Sequence, residues 1–335
     1  MATHVYISIA GEDKILRFIL DPENGALQPQ GEVAVDGGPA PLAVDWKNEC
    51  VYVGLRGDNT IGTFHVDPRS GDLSLAGKTP LDADPCYLFV DRTGKFLLSS
   101  YYGAGKAQVH ALGESGVAIE TPVSVQETEE HAHWIQTDRS NRYVFVPHTM
   151  PPNGVYQFVF DSDTGSLTPN AQAKVAAEDG PRHLDFHPHL DVVYSSNEDG
   201  STISAYRFDT TTGTLEAFQT LSTLPDGYGE DNTTAQIHIH PSGKFIYVSN
   251  RGHNSIAGFG IDGQTGELTS LGQTPTEPTP RVFNLDPTGS FLYAAGQGSG
   301  KLASYRIDQE TGALDALEVK EVGARPMWVL FIELT

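Results

Sequence analysis

One turn recurs along the chain, and its spacing limits the fold more than any other feature. The glycine that closes it appears as Gly25, Gly71, Gly116, Gly165, Gly213, Gly266 and Gly312. The intervals are roughly 45–53 residues, the length of one four-stranded propeller blade. Each unit reads as an apolar strand, a D-x-x-G-type turn, a second strand, a polar loop, a third strand and a D-x-x-T-G-x-L turn. The clearest copies start at Pro181 (PRHLDFHPHLDVVYSSNEDGSTISAYRFD), at Ala235 (AQIHIHPSGKFIYVSNRGHNSIAGFGID) and at Pro280 (PRVFNLDPTGSFLYAAGQGSGKLASYRID). Weaker copies start near Ala40, Pro85 and Ala132. The strands are short and rich in β-branched and aromatic residues, with partial alternation. A blade cannot bury both of its faces alone, so the blades must stack around an axis.

The two ends read as halves of one blade. HVYIS at the start matches the second strand of a repeat, and PMWVLF at the end matches the first. The sequence therefore predicts an all-β chain, a seven-bladed β-propeller over residues 1–335 as a single domain. It is closed by pairing of the N- and C-terminal segments in one blade, which removes the exposed edge. The long insertion in a connection is Leu224–Thr234.

Composition narrows the function classes. A formal charge of −22 repels nucleic acid and anionic membrane, so neither is expected as a partner. No apolar run approaches the ~20 residues of a spanning helix. The N-terminus enters a strand without a basic, then apolar, leader, so a cytoplasmic location is expected. Cys50 and Cys86 fall in predicted buried strands and form no disulfide framework. The oligomeric state is left open.

Placing residues on the blades concentrates the chemistry. With strands lettered A to D from the channel outward, the start of A and the end of B converge at one mouth. The second residue of the A motif reads Pro41, Cys86, His133, Arg182, Ala235, Arg281 and Met327. The end of strand B reads Ala10, Arg56, Tyr102, Thr149, Glu198, Arg251 and Gln297, preceded by Ile9, Leu55, Tyr101, His148, Asn197, Asn250 and Gly296. The opposite mouth carries interchangeable turn residues. Chemical variety on a repeated frame marks a site. Arg182, Arg251 and Arg281 suit a carboxylate or phosphate, because their forked donors match those oxygens. Glu198, His133, His148 and His183 offer proton transfer. A structural ion pair is the alternative for Arg182 and Glu198, and satisfied inner-strand residues are the alternative for the histidines. His238 and His240 alternate along strand A and read as core or interblade hydrogen-bonding groups. His131 and His133 have metal-like spacing but no third ligand, so no metal and no cofactor are expected. HExxH, P-loop, GxGxxG and GxSxG motifs are absent.

At these motifs the chain resembles the seven-bladed lactonase family, which includes propeller-type 6-phosphogluconolactonases and fungal 3-carboxy-cis,cis-muconate lactonizing enzymes. The resemblance spans essentially the whole chain. It is strongest in GPRHLDFHP from Gly180, SSNEDGSTISAY from Ser195, IHPSGKFIYVSNRGHNSIAGF from Ile239 and PRVFNLDPTGSFLYAAGQ from Pro280. It implies metal-free chemistry on a sugar lactone or on muconate, with Arg182, Glu198 and Arg251 lining the site. One departure is VPHTMPPNG, where many members carry an Asp-Leu-Gly-type turn. The expected partner is a small, anionic lactone, hydrolysed as in the pentose phosphate pathway. Arg251 and Arg281 are assigned to the anionic tail and Arg182 to the carbonyl. Glu198, or one of His133, His148 and His183, is assigned to the water. Gln297, Asn197, Gln236 and Tyr101 complete the expected substrate contacts. The alternatives are carboxymuconate lactonization, or a non-catalytic propeller that binds a ligand or protein at the same mouth.

Overall fold

The computed structural model describes the backbone of residues 2–176 and 179–334 and, outside residues 172–178, their side chains. Strand residues form seven four-stranded antiparallel sheets. The closing sheet, blade 1, joins the two ends of the chain. Its inner strand, Pro326–Leu334, pairs with Ala2–Ile9, placing Phe331 opposite Val5 and Trp328 opposite Ser8. The other inner strands are Pro39–Val44 (blade 2), Tyr87–Val90 (blade 3), Gln136–Thr137 (blade 4), Pro181–Phe186 (blade 5), Thr233–Ile239 (blade 6) and Pro280–Leu285 (blade 7). Among the described residues no helix is long and apolar enough to cross a membrane.

Period-two alternation builds the ring. Val5, Ile7 and Ile9 point one way from blade 1 and meet Val282, Tyr293 and Leu302 of blade 7. Tyr6, on the opposite face of the same strand, meets Val53 and Phe64 of blade 2. The same happens at every boundary, so each apolar cluster lies between two neighbouring blades rather than within one. Full burial of each such aliphatic side chain contributes about 1.5–3 kcal/mol.

The recurring turn glycine has a second task. Tyrosines on strand B donate to the turn carbonyl of the next blade: Tyr6 to Gly71, Tyr52 to Gly116, Tyr194 to Gly266, Tyr247 to Gly312 and Tyr293 to Gly25, all at 2.7–2.9 Å. Gly71 has φ of 69°, and a Cβ there would lie 2.9 Å from the Tyr6 hydroxyl. Glycine thus meets both a left-handed turn and a close approach. On the inner strands His187 and His240 make comparable ties, with Nε2 2.9 Å from Gly243 O and 2.8 Å from Gly289 O. These are interblade bonds, which is what the alternation of His238 and His240 suggested for the latter.

Candidate active site

The opening of strand A carries a repeated irregularity that aims side chains at the axis. In blade 5, Pro181 pairs with Asn197 and His183 with Ser196, which leaves Arg182 outside the ladder. In blade 7, Pro280 and Val282 pair while Arg281 is skipped. In blade 1, Pro326 and Trp328 pair while Met327 is skipped. An extra residue of this kind bends the strand and redirects its side chain. Two positions before each skipped residue the backbone is left-handed: Gly180 (φ 75°), Thr279 (56°) and Arg325 (57°); His131 (73°) precedes His133 in the same way. Three of these are not glycine, and each such conformation costs on the order of 1–3 kcal/mol. Backbone strain therefore coincides with the positions that deliver the polar groups.

Those side chains enter one cavity on the axis. Its wall includes Pro41, Arg56, Cys86, His133, Arg182, His183, Gln236, Arg281, Met327 and Trp328. Its volume is about 10 Å³, room for about one water. That volume is smaller than a sugar.

Two ion pairs meet on Glu198. Its Oε2 lies 2.7 Å from Arg182 Nε and its Oε1 lies 2.9 Å from Arg251 Nη2. The first is a charge contact without a well-directed hydrogen bond. Arg251 Nη2 also donates to Thr234 O at 2.7 Å. Burial would raise the Glu198 carboxyl, but the Arg182 and Arg251 guanidinia outweigh it and hold it below the usual value. Glu198 is therefore a fixed anion at neutral pH. Burial pulls Arg182 down to about 9, which leaves it charged.

The histidines form a second group. His183 Nε2 lies 3.1 Å from Arg182 Nη1 and 3.2 Å from His133 Nδ1, and Cys86 Sγ lies 3.7 Å from the same His133 nitrogen. A guanidinium N–H can only donate. His183 Nε2 must then accept, and His133 Nδ1 must donate to it. This network assigns the free lone pair of His133 to Nε2. Burial, followed by the positive charge of Arg182, lowers both imidazoles well below the ordinary histidine value. Both are neutral at pH 7.

The structure also separates residues that the sequence grouped. His148 lies away from the cavity, with Nδ1 2.9 Å from Val146 O and Nε2 2.9 Å from Thr128 Oγ1. Tyr101 accepts from Ser99 Oγ at 2.9 Å and supports Lys106 Nζ over its ring at 5.3 Å. Asn197 donates to Thr202 and Ser204 hydroxyls, each at 2.8 Å. All three are the last residue of strand B, one position before Tyr102, Thr149 and Glu198, and the pleat turns adjacent side chains to opposite faces. In blade 6 the cavity-facing residue is Gln236, while Ala235, aligned there by sequence, is buried in the wall. The same one-residue irregularity as in blade 5 lies between Thr234 and Ile237, so Gln236 stands at the position of His183 and Ala235 at that of Arg182. Gln236 Oε1 accepts from Phe283 N at 2.8 Å, and Gln297 Nε2 lies 3.1 Å from Met327 Sδ at the rim. His131 turns outward to Pro151 O at 2.6 Å, which ends the metal-like spacing. Among the described residues no group of three His, Cys, Asp or Glu is arranged to hold a metal. Cys50 and Cys86 are both buried and free. Sequence grouping left out Arg56 and Cys86, although both stood in the aligned rows.

A neutral imidazole, a buried guanidinium and a cation-rich mouth on a propeller axis define an enzyme of acyl chemistry on a small molecule. Residues 4–331 match the family model described as "Lactonase, 7-bladed beta-propeller". The chain belongs to this seven-bladed β-propeller lactonase family. It is 35% identical over 246 residues to a 6-phosphogluconolactonase of Pectobacterium carotovorum, covering 73% of each chain. A solved protein of Lactobacillus plantarum superposes with a TM-score of 0.88 at 27% identity, covering 99% of this chain and 100% of that one. The periplasmic gluconolactonase of Pseudomonas aeruginosa superposes with a TM-score of 0.92 over 100% of both chains; at 21% identity it shares the fold.

Proposed function

We propose that this enzyme hydrolyses a phosphorylated sugar lactone, 6-phosphogluconolactone, to the open acid. The observation that carries the reading is the arrangement of His133, His183 and Arg182 in one cavity. His133 Nε2 takes a proton from a water. The water oxygen bonds to the lactone carbonyl carbon, and the developing oxyanion is stabilised by Arg182, a donor buried where its charge counts most. The carbonyl then re-forms, the ring C–O bond breaks, and the imidazolium returns its proton to the departing ring oxygen. Glu198 does not accept the proton in this scheme. It holds Arg182 and Arg251 in place. The relatives named 6-phosphogluconolactonase support the substrate class. A phosphorylated sugar is retained in the cytoplasm, where we place the enzyme.

The test is a parallel assay of freshly made 6-phosphogluconolactone, the unphosphorylated glucono-lactone and 3-carboxymuconate. Hydrolysis of the phosphorylated lactone with the highest kcat/KM is expected, with the acidic limb of the pH profile displaced well below the ordinary histidine range, because burial and the Arg182 charge oppose protonation of the imidazole. Turnover of carboxymuconate alone would replace this reading with lactonization.

A further inference from the structure

Four arginines face this mouth, and they are not equivalent. Arg182 and Arg251 are held by Glu198, and Arg251 also by Thr234 O. Arg56 is fixed by Asp84, whose carboxylate accepts from its Nε at 2.8 Å and from its Nη2. Its Nη1 has no partner among the described residues, and the residue lines the cavity. Arg281 is different again. It lines the cavity and is only partly exposed, and its guanidinium has no hydrogen-bond or ionic partner among the described residues. Burial and the positive charges of Arg251 and Arg56 both act against its ionised form, with Glu198 giving partial relief. A partly buried cation without a partner is one that a bound anion would stabilise.

We infer that Arg281 and Arg56 form a subsite for the phosphate dianion of the substrate, and that this pair sets the preference for a phosphorylated over a free sugar lactone. The inference rests on the hydrolase reading above. Position supports it. Arg281 belongs to blade 7 and Arg56 to blade 2, on either side of blade 1, which contributes Met327 and Trp328 between them. Arg182 and Glu198 belong to blade 5, across the axis. One end of a sugar chain thus meets the reacting groups while the other end meets the paired forks. Charge supports it as well. Arg56, Arg182, Arg251 and Arg281 are offset by Glu198 and Asp84, which leaves two positive charges uncompensated in a chain of net charge −22. Two charges match a phosphate monoester near neutral pH, and forked guanidinium donors match its oxygens.

The experiment compares wild type with Arg281→Gln and Arg56→Gln. Kinetics give the ratio of kcat/KM for 6-phosphogluconolactone to that for glucono-lactone. Calorimetry gives the ratio of Kd values for the product acids 6-phosphogluconate and gluconate, without turnover. Each variant should lower the kcat/KM ratio and raise the Kd ratio about 10–100-fold, the size of a lost charge-assisted bond, with Arg281→Lys recovering part of the loss. Unchanged ratios in both variants would overturn the subsite. If wild type binds the phosphorylated acid in an Arg281-dependent way but hydrolyses neither lactone, the subsite stands and the hydrolase reading falls.

Discussion

Replacing Glu198 by Gln keeps the side-chain shape and removes the charge that holds two guanidinia. Arg182 has only 2% of its side chain exposed, Arg251 12% and Glu198 19%. Breaking a buried pair by neutralising one partner costs about 3–5 kcal/mol. The partial exposure of Glu198 and Arg251 favours the lower end, about 3 kcal/mol. Unfolding entropy near 2.1 cal/mol/K per residue gives about 0.7 kcal/mol/K for this chain. Tm should therefore fall by about 4 °C in a calorimetric scan. Activity should also fall, because Arg182 loses the carboxylate beside its Nε. Loss of a well-placed oxyanion donor costs about 10²–10³ in kcat, and misplacement should cost less, roughly 10–100-fold. The acidic limb of the pH profile is the deciding measurement. Glu198 and His133 are both held below their ordinary values, so the limb follows whichever of them accepts the proton, which the proposed scheme assigns to His133. The limb should survive in Glu198→Gln with its midpoint displaced. A variant of unchanged Tm whose acidic limb has vanished would refute this reasoning and make Glu198 the base.

Asp185 faces the central channel from strand A of blade 5, where burial pushes its carboxyl up to about 7, while the Ile239 N–H at 2.8 Å acts in the opposite direction. A carboxyl raised above its unfolded value stabilises the fold fully below about pH 4 and loses that contribution as pH rises to about 7. Asp185→Asn cannot ionise, so its Tm relative to wild type should grow between pH 5 and pH 8 by several degrees, from a linkage of roughly 2–4 kcal/mol; a pH-independent difference would refute the assignment. Activity should survive prolonged EDTA treatment, because the Cys86–His133–His183 group also contains the Arg182 guanidinium, 3.1 Å from His183 Nε2, which disfavours a bound cation. Loss of activity that a divalent ion restores would overturn this.

The blades were legible because the frame repeats. Turn glycines such as Gly71 and Gly266 recur at blade spacing, and the strand-B tyrosines that reach them recur with them. Repetition also aligned Arg182, Arg281 and Met327, so their convergence could be read before any coordinates. Two things were not legible. A one-residue irregularity leaves no mark in sequence, and it accompanies consecutive residues such as Arg182 and His183 that both line the cavity. The last strand-B residue and its neighbour are equally polar in several repeats, so composition could not separate Glu198 from Asn197, or Thr149 from His148. The pleat makes that choice. Arg56 stood in the aligned row but gained meaning only with Asp84, which lies in a loop 28 residues away and has no periodic position.

The same frame explains how one mouth can hold opposed functions. Each blade offers an inner-strand opening position on a ring, and the chain fills these positions unevenly. Blades 4 and 5 supply His133, Arg182 and His183, the groups able to exchange protons and stabilise charge. Blades 1 and 2 supply Met327, Trp328 and Pro41, which exchange none and give an apolar surface for the body of a ring. Arg281 and Arg56 stand at the two edges of that apolar stretch. The acidic exterior does not contradict a cationic mouth. At physiological ionic strength surface charge is screened beyond about 8 Å, so a bound anion responds mainly to the arginines beside it. Net charge describes the surface of this chain as a whole, and the uncompensated pair at the mouth is where the proposed reading holds the anion.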